Sequence, residues 1–205
     1  MKTGSAVTTT FFLVRHATHG IVGRVLVGRM PRVRLDKEGA QQAERLAVCL
    51  ARERIDMVQS SPRERARETA GPIGRRCGVR VGIEPALDEI DFGDWTGRPI
   101  AALDGDQHWE RWNMRRSEGR PPCGESMREL QARVIGHLEA MRSVAPNGRV
   151  VLVSHAEPIR AAILHCLDIP LDDFARFDIA PASITTIAFG ERGGDVMALN
   201  QSVAA

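Results

Sequence analysis

The stretch FFLVRH, residues 11–16, is an apolar run that ends in a histidine, and VVLVSH, residues 150–155, is a second such run. Each run predicts a buried strand that carries its histidine at the carboxyl end. In open α/β sheets, ligands bind along the edge that these carboxyl ends form. Arg15 precedes His16, and a guanidinium at the tip of a buried strand indicates that an anion binds there. The two runs therefore predict a phosphate-handling site at one edge of a sheet.

The rest of the sequence predicts helices and strands that alternate along the chain. Apolar residues at helical spacing predict helices over residues 39–54, 62–77, 125–144 and 158–167. Short apolar runs predict strands at residues 55–58 and 79–83, and a closing hairpin over residues 184–189 and 196–199 that turns at Gly193-Gly194. This alternation predicts an α/β fold, a three-layer α/β/α sandwich with a mostly parallel central sheet.

The length of 205 residues suits a single domain, residues 1–205. Residues 1–9 contain several threonines and no periodic pattern, and they predict a flexible tail. Residues 84–124 hold Gly, Pro, Trp and charged residues with little periodicity, interrupted by short helices near residues 98–104 and 107–117. Because long irregular stretches in compact domains usually have a function, we expect this segment to be an insertion that faces the substrate.

Composition excludes several classes of protein. The formal net charge is only +2 and basic clusters are interleaved with acids, so no nucleic-acid partner is predicted. No run reaches the ~18 apolar residues of a membrane helix, so no membrane partner is predicted. The four cysteines are scattered without a CxxC pair, which predicts reduced thiols and a cytoplasmic location. The oligomeric state stays open.

Arginine and histidine at strand ends predict the chemistry of the site. A neutral imidazole at His16 is a competent nucleophile toward phosphorus, and a guanidinium binds phosphoryl oxygens. Arg65 falls in the first turn of a helix that follows a strand, where the helix dipole also favours an anion. Ser61 is expected to cap that helix, with Pro62 in its first turn. Arg63 and Arg67 are expected to face solvent.

An acidic segment and the second histidine add two further groups. LDEIDFGDWTG, residues 87–97, places four acids around two aromatic residues. A carboxyl beside apolar rings has a raised pKa and can act as a general acid near neutral pH. His155, when protonated, can neutralise charge on a phosphoryl group. Taken alone, each feature also fits a structural role: a solvated loop acid or a satisfied histidine at a strand end.

Taken in order, five motifs resemble those of the histidine phosphatase superfamily, which has the phosphoglycerate-mutase-like fold. They are LVRH at residues 13–16, SSPxxRAxxTA at 60–70, LxExxFGxWxG at 87–97, GES at 124–126 and VSH at 153–155. The resemblance covers roughly residues 11–190, and Gly28-Arg29 fits it as well. Single motifs of this kind are modest signals, but their combination and order are specific.

The resemblance implies a phosphohistidine mechanism with His16 as the nucleophile. Arg15, Arg65 and His155 would hold the phosphoryl oxygens. Glu89 matches the position of the family's proton donor, and Asp91 is the alternative acid. Catalysis of this kind depends on positioning and electrostatics, so no metal and no cofactor are expected.

Thr18 and Arg29 are further expected ligands of the substrate, a small-molecule phosphate ester. The loop after His16 departs from the family pattern, with Ala17 for a glycine, His19 for a small hydroxyl residue and Val22 for a phosphate-binding asparagine. His19 is expected to line the mouth of the pocket.

Three functions are compatible with these residues. The leading prediction is a phosphomonoesterase that acts on a small phosphorylated metabolite. A cofactor-dependent phosphoglycerate mutase is the first alternative, although mutases tend to be longer after the acidic motif and to carry the missing asparagine. A non-catalytic module that binds a phospholigand or a protein is the second, because a fold does not determine a function.

Overall fold

A six-stranded mixed sheet lies at the centre of the computed structural model, which describes residues 7–203. Its strands are β1 (Thr9–Arg15), β2 (Met57–Ser60), β3 (Val81–Ile83), β4 (Arg149–Ser154), β5 (Ser183–Gly190) and β6 (Gly193–Ser202). The spatial order is β3-β2-β4-β1-β5-β6. The first four strands in that order run parallel, and β5 and β6 are antiparallel to their neighbours. The prediction of a mostly parallel sheet is confirmed.

Helices cover both faces of the sheet. They are α1 (Lys37–Leu50), α2 (Glu64–Cys77), α3 (Gln107–Met114), α4 (Met127–Val144) and α5 (Ala156–Cys166). Short 3-10 helices lie at Ala51–Glu53, Pro85–Leu87, Gly93–Trp95, Ile100–Leu103 and Leu171–Arg176. Asp36 caps α1 by accepting from the Gly39 N–H, and Ser126 with Glu129 forms a capping box at the start of α4.

Alternation along β1 divides the core into two halves. Phe11 and Leu13 pack on one side of the sheet with residues of α4 and α5. Phe12 and Val14 point to the other side and pack with residues of α1 and α2. Because successive strand residues face opposite sides, a continuous apolar run is what a strand covered on both faces requires. The predicted three-layer sandwich is therefore confirmed.

The amino terminus differs in part from the predicted flexible tail. Thr9 already belongs to β1, is fully buried and donates its hydroxyl hydrogen to the carbonyl of Ala145 at 2.8 Å. Residues 1–6 of the expected tail lie outside the described residues. Polar residues can begin a buried strand when their hydroxyls are paired in this way.

The closing hairpin forms, but its turn is not at the two glycines. Residues 191–192 form the connection, and Gly193 and Gly194 open β6. A Cβ atom on Gly194 would lie 2.6 Å from the Cys166 sulfur and 2.8 Å from the Phe189 ring. Gly194 therefore serves close packing of β6 on α5, which hairpin signals in a sequence do not distinguish from a turn.

Residues 84–124 contain the two short helices expected there, at Ile100–Leu103 and Gln107–Met114. Trp95 is buried and packs edge-to-face on Trp109 and Trp112, at centroid distances of 5.3 and 6.3 Å. These tryptophans thus contribute to the core. Gly93, at φ 51°, brings this segment against a second loop, where its Cβ position lies 1.9 Å from the Pro122 carbonyl oxygen. Among residues 7–203, no helix is long and apolar enough to cross a membrane.

Gly93→Ala tests this close contact. The left-handed backbone and the overlap with Pro122 should together lower the free energy of unfolding by at least about 2 kcal/mol. Gly136→Ala is the matched control, because Gly136 is exposed within α4 and its Cβ position contacts nothing. The control should raise stability by about 0.5–1 kcal/mol. Urea unfolding measures both, and equal effects of the two substitutions would contradict the proposed contact.

Candidate active site

Parallel pairing of β1 and β4 brings the two histidines together. Arg15 and Ser154 are register partners at the carboxyl ends of these strands, and the His16 N–H donates to the Ser154 carbonyl at 2.9 Å. The imidazole centroids of His16 and His155 are 5.1 Å apart. Both rings are buried. The two apolar runs thus deliver their histidines to one site, as the sequence predicted.

Hydrogen bonds determine which nitrogen of His16 carries the proton and which carries the lone pair. Its Nδ1 lies 2.9 Å from the carbonyl of Ala17 and donates to it. Its Nε2 accepts a hydrogen bond from the Arg65 Nε at 3.2 Å. Burial, together with the positive charges of Arg65 and Arg15, lowers the pKa of His16 well below its ordinary value. His16 is therefore neutral, with its lone pair on Nε2.

Arg65 lies between the two histidines. Its Nη2 donates to the Gly28 carbonyl at 2.7 Å and to the His155 Nδ1 at 3.0 Å. Its Nη1 is buried and has no hydrogen-bond partner among the described residues. Burial lowers the pKa of Arg65 to about 10, so the group stays charged at neutral pH. The unpartnered Nη1 is a donor that an anion at this position would satisfy.

Gly28 allows this arrangement through its backbone. Its φ is 48°, and a Cβ atom would lie 2.9 Å from the ring of Phe92. Glycine is the residue that adopts this conformation at low cost and leaves room for the ring. The Gly28 carbonyl can therefore reach the buried guanidinium of Arg65.

A chain of hydrogen bonds holds His155 in one tautomer. Because Arg65 only donates, the Nδ1 of His155 accepts, and its Nε2–H donates to the Ser61 hydroxyl at 2.7 Å. Ser61 in turn donates to Asp88 at 3.2 Å. Burial, and then the charge of Arg65, lowers the pKa of His155 well below its usual value. His155 is neutral in this state, and only a bound anion would favour the protonated form that the sequence suggested.

Two sequence expectations near α2 were wrong. The N-cap of α2 is Arg63, without a side-chain cap, and the helix begins at Glu64, beyond Pro62. Ser61 instead belongs to the site, where its hydroxyl accepts a hydrogen bond from the His155 ring. Arg63 does not face solvent, since its guanidinium pairs with Asp88 at 3.0 Å. Arg67 is exposed, as expected.

Glu89 is a buried carboxyl beside these cations. Its Oε1 accepts from the N–H of Ile90 at 3.0 Å, and its residue is 8% exposed. Burial, followed by the charge of Glu157, raises the pKa of Glu89 to about 7. A substantial protonated fraction at neutral pH suits a general acid.

Asp91, the alternative acid, is placed differently. Its side chain is 40% exposed and ion-pairs with Arg29 at 3.6 Å. One carboxylate oxygen accepts from the N–H of Gly93 at 2.9 Å. Asp91 thus accepts the hydrogen bond that forms the turn before Gly93, and it is far more exposed than Glu89.

An ionic clamp holds the backbone of Glu89, and sequence reasoning missed it. Arg133 donates to the Asp88 and Glu89 carbonyls at 2.7 and 3.1 Å, and Arg29 donates to the Glu89 carbonyl at 2.8 Å. Glu125 pairs with both arginines, at 2.7 Å to Arg133 and 2.9 Å to Arg29. The guanidinium of Arg29, which the sequence suggested as a substrate ligand, therefore has partners within the protein. The only sequence signal for the clamp was the GES motif that contains Glu125.

Arg15 ends β1, and Thr18 lies in the loop that follows His16. The Nη1 of Arg15 donates to the carbonyl of Ile179, and its Nε is buried with no partner among the described residues. Burial lowers the pKa of Arg15, and the nearby charge of Glu89 partly offsets this effect. The Thr18 N–H donates to Gln42 at 2.9 Å, which ties the loop to α1.

Over residues 7–203, no group of three His, Cys, Asp or Glu residues could hold a metal ion.

Glu89→Gln tests the buried acid by stability. Between about pH 4.5 and 7 the folded protein keeps a proton that the unfolded chain releases, so the wild type loses stability as pH rises through this interval. At pH 8 the glutamine variant should therefore be more stable by up to about 3 kcal/mol. At pH 4 this gain should be absent. Denaturant unfolding at both pH values measures it, and a gain of equal size at pH 4 would contradict the raised pKa.

Sequence comparison finds relatives that span most of the chain. The model of the histidine phosphatase superfamily, branch 1, matches residues 11–202. Phosphoserine phosphatase 1 of Hydrogenobacter thermophilus is 33% identical over 168 residues, which cover 81% of this chain and 80% of the relative. The probable phosphoglycerate mutase GpmB of Escherichia coli O9:H4 is 31% identical over 183 residues, covering 88% and 85%.

Solved structures share the fold over nearly the whole chain. A phosphoserine phosphatase mutant from Entamoeba histolytica, in complex with phosphoserine, has a TM-score of 0.86 at 24% identity and covers 95% of this chain and 98% of that one. A mycobacterial glucosyl-3-phosphoglycerate phosphatase in complex with VO3 has a TM-score of 0.84 at 26% identity, covering 94% and 99%. The family match over residues 11–202, with relatives at 33% and 31% identity, shows that the chain belongs to the histidine phosphatase superfamily, branch 1.

Proposed function

We propose that this protein is a phosphomonoesterase that hydrolyses a small phosphorylated metabolite through a phosphohistidine on His16. One observation carries the proposal: the neutral His16 Nε2 lies against the buried guanidinium of Arg65, at 3.2 Å. A nucleophile, a fixed cation and the buried acid Glu89 are the groups that phosphoryl transfer needs without a metal. Membership of the superfamily, with phosphatases among its relatives, supports hydrolase activity.

The first step transfers the phosphoryl group to the protein. The Arg65 Nε–H shifts its hydrogen bond from the His16 Nε2 to a phosphoryl oxygen, and the freed lone pair on Nε2 attacks phosphorus as the bond from phosphorus to the ester oxygen breaks. The Nδ1–H of His16 keeps donating its hydrogen bond to the Ala17 carbonyl, which stabilises the positive charge that develops on the ring. Protonated Glu89 gives its proton to the departing alkoxide, so the product leaves as a neutral alcohol.

The second step releases inorganic phosphate. Glu89, now ionised, takes a proton from a water molecule, whose oxygen attacks the phosphorus of the phosphohistidine. The bond between phosphorus and the His16 Nε2 breaks and its electron pair returns to the ring. Glu89 is therefore acid in the first step and base in the second, and a pKa of about 7 suits both roles.

Cations hold the three phosphoryl oxygens in both steps. The unpartnered donors on Arg65 and Arg15 face no protein acceptor among the described residues, so phosphoryl oxygens would complete their hydrogen bonds. A bound anion would shift His155 toward its protonated form, because its negative charge opposes the burial and the Arg65 charge that lower the pKa of this imidazole. We assign Thr18 to the edge of this pocket and Arg29 to the clamp that positions Glu89.

The depth of the site and the names of the relatives support a small phosphate ester as the substrate. His16 and His155 are 3% and 0% exposed, so a phosphate on a small molecule reaches them more readily than one on a folded partner. Relatives are named for phosphoserine and for glucosyl-3-phosphoglycerate, both of which are small esters.

The described cysteines are all free thiols, which fits a reducing cytoplasm.

Trapping the phosphoenzyme tests the nucleophile. The wild type, quenched after mixing with a radiolabelled phosphate ester, should carry acid-labile, alkali-stable label, and His16→Ala should carry none. Absence of label on the wild type would support the non-catalytic alternative, and label on His16→Ala would refute His16 as nucleophile. A second assay separates the phosphatase from the mutase. With 3-phosphoglycerate as substrate, a mutase would convert it to its isomer faster than it releases phosphate, and only when 2,3-bisphosphoglycerate is present.

Leaving-group dependence tests the acid. Glu89→Gln should lower the rate of phosphoenzyme formation from an alkyl phosphate by about 10²–10⁴-fold, because the alkoxide then leaves without a proton. With p-nitrophenyl phosphate, whose leaving group needs no proton, the loss should be much smaller. For the wild type, the alkyl phosphate rate should fall as pH rises through about 7. Asp91→Asn is the matched comparison, and an equal leaving-group dependence there would assign the proton to Asp91.

A further inference from the structure

His19 lies against the nucleophile and not at the mouth of the pocket where the sequence suggested. Its ring stacks on that of His16, with centroids 5.4 Å apart and an angle of 24° between the planes. The residue is only 5% exposed. The expectation of a pocket-mouth residue was wrong because the loop over residues 17–22 folds back over the end of β1, where the His19 carbonyl accepts from the Val22 N–H.

One nitrogen of this ring has an unmet hydrogen bond. The Nδ1 of His19 is buried and has no partner among the described residues. A buried ring nitrogen without a partner has lost its bond to water and costs free energy in either tautomer. Native proteins leave few such groups, and those at a site often await a ligand.

Two other unpartnered nitrogens belong to residues of the same pocket. They are the Nε of Arg15 and the Nη1 of Arg65, each buried without an acceptor among the described residues. Both residues influence His19 directly: burial, then the charges of Arg65 and Arg15, lower its pKa to about 4, and only Asp36 opposes them. A neutral imidazole with an unpartnered ring nitrogen therefore lies near two arginines that each have an unpartnered donor of their own.

We propose that His19 is a ligand of the transferred phosphoryl group, and that its Nδ1–H donates a hydrogen bond to a phosphoryl oxygen. This inference rests on the proposed function, since it adds a ligand to the same site. Phosphate oxygens only accept, so the Nδ1–H tautomer is the one that binds. Val22 has an apolar side chain, so His19 is the residue of this loop that supplies a ring donor beside His16.

Packing is the competing explanation, and two substitutions separate it from hydrogen bonding. His19→Phe keeps an aromatic ring against His16 and removes the donor. His19→Asn keeps an N–H near the position of Nδ1 and removes the ring. His165→Phe is the matched control, because His165 is exposed in the last turn of α5 and contacts none of the site residues described above.

Calorimetric titration with inorganic phosphate at pH 7 is the test. His19→Phe should weaken phosphate binding at least tenfold, His19→Asn should stay within threefold of the wild type, and His165→Phe should not change it. Unchanged affinity in His19→Phe, or equal losses in the Phe and Asn variants, would overturn the proposal. Circular dichroism and thermal unfolding establish that each variant is folded before it is titrated.

A measurement on the wild type keeps the proposal testable if a variant does not fold. In ¹H–¹⁵N spectra of the imidazole groups, inorganic phosphate should produce a slowly exchanging Nδ1–H signal from His19. An Nδ1 resonance that does not respond to phosphate would overturn the proposal. Binding of inorganic phosphate does not require catalysis, so this measurement can refute the role of His19 and the proposed function independently of each other. Phosphate binding through His19 without phosphoenzyme would refute the proposed function alone, and phosphoenzyme with an unresponsive His19 would refute only this inference.

Discussion

The guanidinium of Arg65 is the group on which the rest of the site depends. It donates to the His16 Nε2 at 3.2 Å and to the His155 Nδ1 at 3.0 Å, and it is 1% exposed. Burying a cation is costly unless hydrogen bonds and opposite charges compensate. Here the Gly28 carbonyl, the ionised fraction of Glu89 and the carboxylate of Asp88 do so. The fold supplies this environment because β1, β4 and the start of α2 meet at one sheet edge.

The same burial sets the proton positions in the site. Desolvation disfavours every charged form, so it lowers the pKa of both histidines and raises that of Glu89. Arginine charges reinforce the effect on the histidines and only partly oppose it on Glu89. Burial therefore leaves both histidines neutral and Glu89 partly protonated near neutral pH.

Much of the fold could be predicted from the sequence because the spacing of apolar residues indicates which positions are buried. The apolar runs before His16 and His155 predicted two strands covered on both faces, and both are central in the sheet. The ends of some helices and strands differ by a few residues from the predicted ones, because tertiary contacts there compete with local sequence signals. Ser61 has the chemistry of a helix cap, yet its hydroxyl binds His155, 94 residues away in sequence. Gly194 carries a turn signal, yet close packing against Cys166 explains it.

The sequence by itself determined the sheet, its two strand-end histidines and the family, because these depend on periodicity and on motifs that are contiguous in the chain. Tertiary structure alone decided how the groups act. It tied Glu89 to Arg29 and Arg133 through Glu125, turned Asp91 outward, and stacked His19 on His16. Those outcomes depend on distances between residues far apart in sequence and on shared burial, which set hydrogen bonds and pKa values and leave no local pattern.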